Sequence, residues 1–428
     1  MTPSDRSRSL GEWLRWREEK LSQAIEPGLG RVRVAATALG LNPPRPLFTV
    51  AGTNGKGSTC AFLESLLRAH GLSTGVYGSP HLLEFRERIR VDGAVIEPLL
   101  LTKAFARLAG TPEVLALSVF EFDTLLAVQC FELAAVDSVI LETGMGGRLD
   151  AVNVFDADVA LVTSVDLDHQ RWLGDNREAI AREKAGIFRK DRPALCADPD
   201  VPDSLREYAR SIAARLEGLD ENFRIESSGE RWFVVDGERV GPLVDGALGG
   251  GVQRRNAALA VAAMRRAGLE RDNAKVHGAL RDTTLPGRFQ RLEGAAETYV
   301  DVAHNPAATK ALAERLRALP ERSPCVAVFG AYRDKDIAGM VGNLDGQVDQ
   351  WILCGLPGPR GASAAFLAEC LGSVACAAHS CENVADGYRL ARRIAGQVGR
   401  IVIFGSFETV AAALRESGSS PGHHPSSG

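Results

Sequence analysis

From about residue 47 the chain alternates short apolar runs with longer segments whose apolar positions recur at helical spacing. The runs "LFTVAG", "STGVYG", "DSVILETG" and "DVALVTSV" come first, and "ETYVDVAHN", "CVAVFGAY", "QWILCG" and "RIVIFGSF" follow a loop "LPGRFQRLEG" at 285–294. Strands apolar throughout and separated by helices predict an α/β chain with parallel sheets covered on both faces. Between the two sets lie a strand-like "RWFVVDGERV" and a helical "RRNAALAVAAMRRAG". This organisation predicts an N-terminal parallel-sheet domain over 1–287 and a smaller C-terminal domain over 288–413. The low-complexity tail, 414–428, is expected to be disordered.

Length changes this picture little: 428 residues exceed what one hydrophobic core supports, so two domains are the natural outcome. Apolar content of 45% and charged content of 24% are ordinary for a globular protein, and no run of eighteen apolar residues offers a membrane span. The start, "MTPSDRSRSLGEWLRWREEK", lacks the apolar core of a signal peptide and reads as cytoplasmic. A net charge of -4, from 50 Lys and Arg against 54 Asp and Glu, gives no reason to expect nucleic acid and favours a small-molecule substrate. The eight cysteines are scattered without a CxxC pair, which suits reduced, mostly buried thiols.

The first chemistry lies in "FTVAGTNGKGSTCAFLESLL", residues 48–67, where an apolar strand runs into a glycine-rich turn and a helix. Backbone amides and a helix N-terminus facing one concavity make an anion site. Lys56 supplies charge for terminal phosphates and Ser58 a hydroxyl for magnesium. The spacing departs from GxxxxGK[ST]: two residues separate Gly52 from Gly55 and Lys56, and Gly57 intervenes before Ser58.

Two further apolar runs end in carboxylates, Glu142 in one and Asp166 and Asp168 beside His169 in the other. The C-terminal ends of parallel strands share the edge where ligands bind, so Glu142, His169 and "GSPH" (Ser79 to His81) are expected beside the phosphate loop. Oxygen ligands and an imidazole there suit magnesium. Taken singly, Glu142 is as readily a helix cap and His169 a core histidine. Lys184, in "GDNREAIAREKAGIFRK", lies four residues after Ile180 and three before Ile187, within the apolar stripe of its helix. A desolvated amine loses its proton more easily and can take up carbon dioxide as a carbamate, a hard ligand for a second magnesium. A lysine that snorkels to solvent is the commoner outcome of such a pattern.

The motifs "VAGTNGKGS", "GSPHL", "FEFDTL", "LETGMGGRLDA", "DLDHQRWLG", "REKAGIF", "LPGRFQ", "DVAHNP", "RDKDIAG" and "FGSFETV" resemble, in order and spacing, the folylpolyglutamate synthase and dihydrofolate synthase family, related to the Mur ligases. The resemblance spans almost the whole chain. It implies a P-loop domain like the Mur ligase central domain, a Rossmann-like C-terminal domain, and ATP between them. It also implies that Asn54, Gly55, Lys56, Gly57 and Ser58 hold ATP phosphates, with Asn256 on the adenine side, and Arg288 and Asp301 reaching the nucleotide from the linker and second domain. By the same resemblance Ser58, Ser79, Glu142, His169 and a carbamylated Lys184 bind magnesium, two ions in all. His304 helps to place the amino acid or the phosphates. The pterin side resembles Gly28, Leu29, Gly30 and Arg31, then Phe120, Glu121, Phe122 and Asp123, then Leu149, Asp150 and Ala151; Phe120 and Phe122 read equally well as core. Thr143, Met145, Val152 and the Tyr332-Arg333 pair depart from the usual pattern and bear on substrate preference.

The implied activity joins L-glutamate to dihydropteroate, and then to reduced folates, with ATP as co-substrate. A carboxylate has no good leaving group, so ATP would first convert it to an acyl phosphate that the glutamate amine attacks. Lys56, Lys184 and His304 are the residues expected in catalysis. The alternatives are a single-activity version, a Mur-type ligase of cell-wall precursors, disfavoured by the lack of an obvious UDP-binding domain, and a nucleotide switch without ligation. No membrane partner is expected, and the resemblance implies a monomer.

Overall fold

A computed structural model of the chain describes residues 8–24, 27–270, 272–371 and 378–418. Cys376 and the tail from residue 419 lie outside the described residues. The chain divides into two compact units, Met1–Pro80 with Phe85–Thr283, and His81–Glu84 with Thr284–Gly428.

The first unit is built on an eight-stranded sheet. Its strands are β1 (Leu47–Ala51), β2 (Thr74–Tyr77), β3 (Ile89–Val91), β4 (Ala94–Val95), β5 (Ser138–Glu142), β6 (Val159–Val162), β7 (Pro193–Cys196) and β8 (Arg215–Gly218), in spatial order 4-3-2-5-1-6-7-8. All pairs from β2 to β8 are parallel. The centre is buried on both faces: every residue of β1, β5 and β6 is buried, which is why these strands read as apolar runs. The pattern missed β7 and β8, four residues each, and the antiparallel β3–β4 hairpin closed by Asp92-Gly93. Where one strand was expected around "RWFVVDGERV", a separate antiparallel sheet forms from β9 (Arg224–Ser228), β10 (Arg231–Asp236) and β11 (Glu238–Leu243). Helix Gly251–Arg266 packs its alanine-rich, fully buried stretch 256–264 along helix Lys56–Ala69.

The second unit carries a six-stranded sheet of β12 (Gln290–Leu292), β13 (Glu297–Asp301), β14 (Cys325–Phe329), β15 (Gln350–Cys354), β16 (Ala378–Cys381) and β17 (Arg400–Phe404), in order 12-13-17-14-15-16. It is parallel apart from β12 at one edge. Two expectations about its limits change. Residues 81–84 belong here because Leu82 is buried in the cluster of Leu292, Val302 and Val410. The last helix, Phe407–Ser417, continues past 413 because Leu414 is in the core, and it stops at Gly418 in a left-handed conformation. Among the described residues no helix is long and apolar enough to cross a membrane.

Candidate active site

The C-terminal ends of β1, β2, β5 and β6 bring four loops to one edge of the first sheet. The phosphate loop leaves β1 and ends at Gly55, the N-cap of helix Lys56–Ala69, whose first amides have no side-chain cap. Gly55 has φ 85°, and a Cβ there would fall 2.6 Å from Oδ1 of Asn256, so only glycine lets the loop turn beneath that amide. Asn54, Gly55 and Asn256, expected on the nucleotide, are thus gathered. Lys56 curls over the loop, with Nζ donating to the Gly52 carbonyl at 2.9 Å. Ser58 is buried, and its hydroxyl has no hydrogen-bond partner among the described residues.

Glu142 closes β5 within reach of the loop after β2: Ser79 N–H points at its Oε2 at 3.4 Å. Its charge is also felt by the buried Cys60 thiol on the phosphate-loop helix, which burial pushes well above its usual range. Ser79, Glu142 and the phosphate loop therefore share one corner. His169 stands on the loop after β6 with φ 51°, its side chain exposed and its N–H donating to the Asp168 carboxylate at 2.8 Å. Among the described residues no three His, Cys, Asp or Glu side chains form a ready-made metal cage. The donors at that corner are hard: the orphaned Ser58 hydroxyl, Ser79 and Glu142 suit a cation that completes its shell with phosphate oxygens.

Lys184 is 2% exposed on helix Arg177–Ala185. Burial pushes its amine down to about 7, the Lys56 charge adds to this, and Asp168 and Asp150 oppose it. The lysine thus sits within electrostatic reach of the phosphate loop and of the loop after β5. Asp150 is buried too and is pushed up to about 6, against the amides of Met145, Val152 and Gly144 and the Lys56 charge. The turn bearing Lys184 is stitched to that loop. Arg148 donates to Glu183 Oε1 at 2.8 Å and, from its backbone, to the Glu183 carbonyl at 2.8 Å. The Asn153 amide donates to the carbonyls of Arg148 and Gly186, each at 3.0 Å.

The residues expected on the acceptor side separate into two groups. Arg31, on helix Gly30–Leu39, pairs with Glu121 at 3.1 Å, while Glu121 also caps its own helix through Ser118. Phe120 lies 6.0 Å from Tyr77, at the β2 end of the same edge. Phe122 is fully buried between Trp16 and Phe105 and is core. Asp123 is fully buried as well, paired with Arg17 at 3.0 Å and Arg88 at 3.3 Å, and burial raises it to about 6 against both arginines. Gly28 and Leu29 precede the Arg31 helix, and Leu149 and Ala151 flank Asp150.

In the second unit Asp301 ends β13, and its carboxylate accepts from Phe289 N–H and Ala303 N–H, each at 2.8 Å. Burial raises its proton affinity, opposed by the Arg288 charge and those two amides. Arg288 and His304 both face the Phe407 ring, at 5.2 and 6.0 Å, and the His304 ring is tied to the Val302 carbonyl at 2.9 Å. Arg288, Asp301 and His304 thus form one cluster, with Phe407 as the platform that sequence reasoning missed.

A phosphate loop at a parallel-sheet edge and a second, Rossmann-like sheet make the chain a Mur ligase: residues 50–263 match the Mur ligase middle domain and 287–407 the Mur ligase glutamate ligase domain. It is 42% identical over 408 residues to the dihydrofolate synthase/folylpolyglutamate synthase of Escherichia coli (strain K12), covering 95% of this chain and 94% of that one. Its fold matches E. coli FolC in complex with DHPP and ADP with a TM-score of 0.90 at 40% identity, over 96% and 98% of the two chains. A bifunctional folylpolyglutamate synthase/dihydrofolate synthase with Mn, AMPPNP and L-glutamate bound matches at 0.88 and 40%, also over 96% and 98%. The chain belongs to the dihydrofolate synthase/folylpolyglutamate synthase family, and it is an ATP-dependent ligase.

Proposed function

We propose that the edge of the first sheet is where this ligase activates a carboxylate, and that the buried, charge-depleted Lys184 beside Lys56 is the observation that carries this assignment. The activity is the ATP-dependent addition of L-glutamate to dihydropteroate, giving dihydrofolate, and to reduced folates, giving folylpolyglutamates. Nucleotide, DHPP, divalent metal and glutamate, the ligands of the related structures, are the set the site would take.

Asn54 to Ser58 and Asn256 hold ATP, with Lys56 placed to neutralise charge on the phosphoryl group as it passes to the acceptor carboxylate. Arg288 and Asp301 complete nucleotide binding, and His304 orients glutamate, whose amine displaces phosphate from the acyl phosphate. Glu121, Asp123 and Asp150, with Arg31 and Phe120, recognise the acceptor. Ser58, Ser79, Glu142, His169 and Lys184 would hold magnesium, which supplies Lewis-acid charge to the transferring group. Lys184 takes part as its carbamate: the neutral amine adds carbon dioxide, a C–N bond forms and one proton leaves to solvent. The depressed proton affinity of the amine favours this near neutral pH.

Glutamate-dependent ADP formation, measured in parallel with dihydropteroate and with tetrahydrofolate monoglutamate and with products confirmed by mass, tests the reading. Turnover with both acceptors is expected; turnover with one assigns a single activity. Native mass spectrometry in bicarbonate is expected to show a carbon dioxide adduct that Lys184→Ala lacks.

A further inference from the structure

The phosphate loop is shorter than the common pattern, and the structure shows what replaces the missing residues. Gly52 through Asn54 is bound to the end of β6 by three hydroxyls. Thr53 Oγ1 donates to the Asp166 carbonyl at 3.0 Å and accepts from Asp166 N–H at 3.0 Å. Ser164 Oγ does the same for Asn54, accepting from its N–H and donating to its carbonyl, both at 3.1 Å. Thr163 Oγ1 donates to that same carbonyl at 2.5 Å, and Thr53 N–H donates to the Ser164 carbonyl at 2.8 Å. The two segments approach so closely that a Cβ at Gly52 would fall 1.8 Å from Thr163 Oγ1.

This arrangement extends the β1–β6 pairing beyond both strands by means of side chains. A loop with no Cβ at two of its first four positions has little conformational preference of its own, and ordering it costs backbone entropy. The β6 segment provides the template. It runs on directly to Asp168 and His169, so whatever fixes the phosphate loop to Thr163–Asp166 also fixes its register against those two side chains.

We propose that Thr53, Thr163 and Ser164 are positioning residues, a hydroxyl clasp that imposes the anion-binding shape on Gly52–Lys56 and sets its distance from the Asp168–His169 loop. This rests on the assignment of that loop to ATP. A lone threonine in a strand end is ordinarily structural; here three hydroxyls from two segments converge on the backbone of two loop residues. No step of the chemistry passes through them.

The test is nucleotide binding by the full-length protein, followed with a fluorescent ATP analogue with and without Mg2+, alongside steady-state kinetics. Thr53→Val and Ser164→Ala each remove the two hydrogen bonds of one hydroxyl and are each expected to weaken nucleotide binding about tenfold and to raise the KM for ATP by the same factor. The KM values for glutamate and for the acceptor, and the melting temperature, are expected to stay at wild-type values. Thr53→Ser and Ser164→Thr, which keep the hydroxyl, restore binding. The proposal fails if both hydroxyl-deleting variants bind nucleotide within twofold of wild type. It also fails if all three KM values and the melting temperature shift together, since that is a general packing role. Lys56→Ala serves as the control: unchanged nucleotide binding in that variant overturns the loop assignment itself, and the clasp with it.

Discussion

The two sheet edges share buried carboxylates and differ in one group, the buried lysine of the first. At the first, charged groups are buried where water cannot solvate them: Lys184 is driven down to about 7, and Asp150 and Asp123 up to about 6. At the second, burial raises the proton affinity of the Asp301 carboxylate as well, opposed by the Arg288 charge and two backbone amides, and Arg288 faces the Phe407 ring. Groups with unsettled protonation are the ones that bind metal, react with carbon dioxide or change charge during a reaction. On the proposed reading, the chemistry is expected at Lys184 of the first edge, where ATP and the acceptor also bind, and recognition alone at the second.

Replacing Lys184 should break this comparison most severely. Lys184→Ala is expected to lower kcat by on the order of 10³, comparable to removing one preorganised electrostatic contact from a transition state. Stability should move the other way. The native amine binds its proton more weakly than the unfolded one, so between about pH 7 and the ordinary lysine range the unfolded chain holds more protons, and stability rises with pH. The burden is complete below about pH 7 and is relieved above it. Lys184→Met, which keeps the volume and removes the charge, is expected to melt higher than wild type in bicarbonate-free buffer. The gap should be widest near pH 6 and should close toward pH 10. A Met variant that melts lower at every pH would show that the charge is compensated.

The two phenylalanines of "FEFD" sharpen the boundary between site and core. Phe122→Ala is expected to cost about 3–5 kcal/mol of stability, since its ring is wholly enclosed by Trp16 and Phe105. It should leave the acceptor KM unchanged in whatever folds. Phe120→Ala should raise the acceptor KM with a smaller loss of stability. Denaturant titrations paired with acceptor kinetics separate the two, and a KM effect confined to Phe122 would place the acceptor elsewhere.

What the sequence made legible follows from which physical signals are local. Strands β1, β5, β6, β13, β14, β15 and β17 were readable because both of their faces are buried, and Lys184 because helical spacing alone put a lysine among apolar residues. Strand β7 opens on Pro193 between polar flanks, β8 is half-exposed and has no apolar run, and β3–β4 hides in a half-exposed hairpin. Phe122 could not be told from Phe120, because periodicity reports burial and not what does the burying. The hydroxyls of Thr53, Thr163 and Ser164 were invisible for a different reason. In "VTSV" Thr163 and Ser164 read as the end of a strand and in "AGTNG" Thr53 reads as part of the glycine-rich turn, and their role exists only once β6 lies beside β1.

At the second edge the expected effects are smaller and fall on binding. Asp301→Asn keeps the shape but has one acceptor oxygen for two amide donors, so one of Phe289 N–H and Ala303 N–H loses its partner. The KM for ATP should rise about tenfold, the equivalent of one lost charged hydrogen bond, with kcat nearly unchanged. If kcat falls by as much as in Lys184→Ala, the division of labour between the edges is wrong.

The smallest effect tests how the first edge is held together. Arg148 and Glu183 form a partly exposed ion pair, 48% and 23% accessible, so its own worth is below about 1 kcal/mol. Its place matters more than its strength. It joins the turn bearing Lys184 to the loop bearing Leu149, Asp150 and Ala151, alongside the backbone bond from Arg148 to Glu183 and the Asn153 bridge. Arg148→Ala should therefore barely change the melting temperature while raising the acceptor KM about threefold, less than 1 kcal/mol in binding. Asn153→Ala removes three side-chain hydrogen bonds, two donated to the Arg148 and Gly186 carbonyls and one accepted from Arg189, and should lower stability by about 3 kcal/mol as well as the acceptor affinity. If Arg148→Ala moves only the KM for ATP, the loop after β5 serves the nucleotide, and the acceptor residues of the first edge must be reassigned.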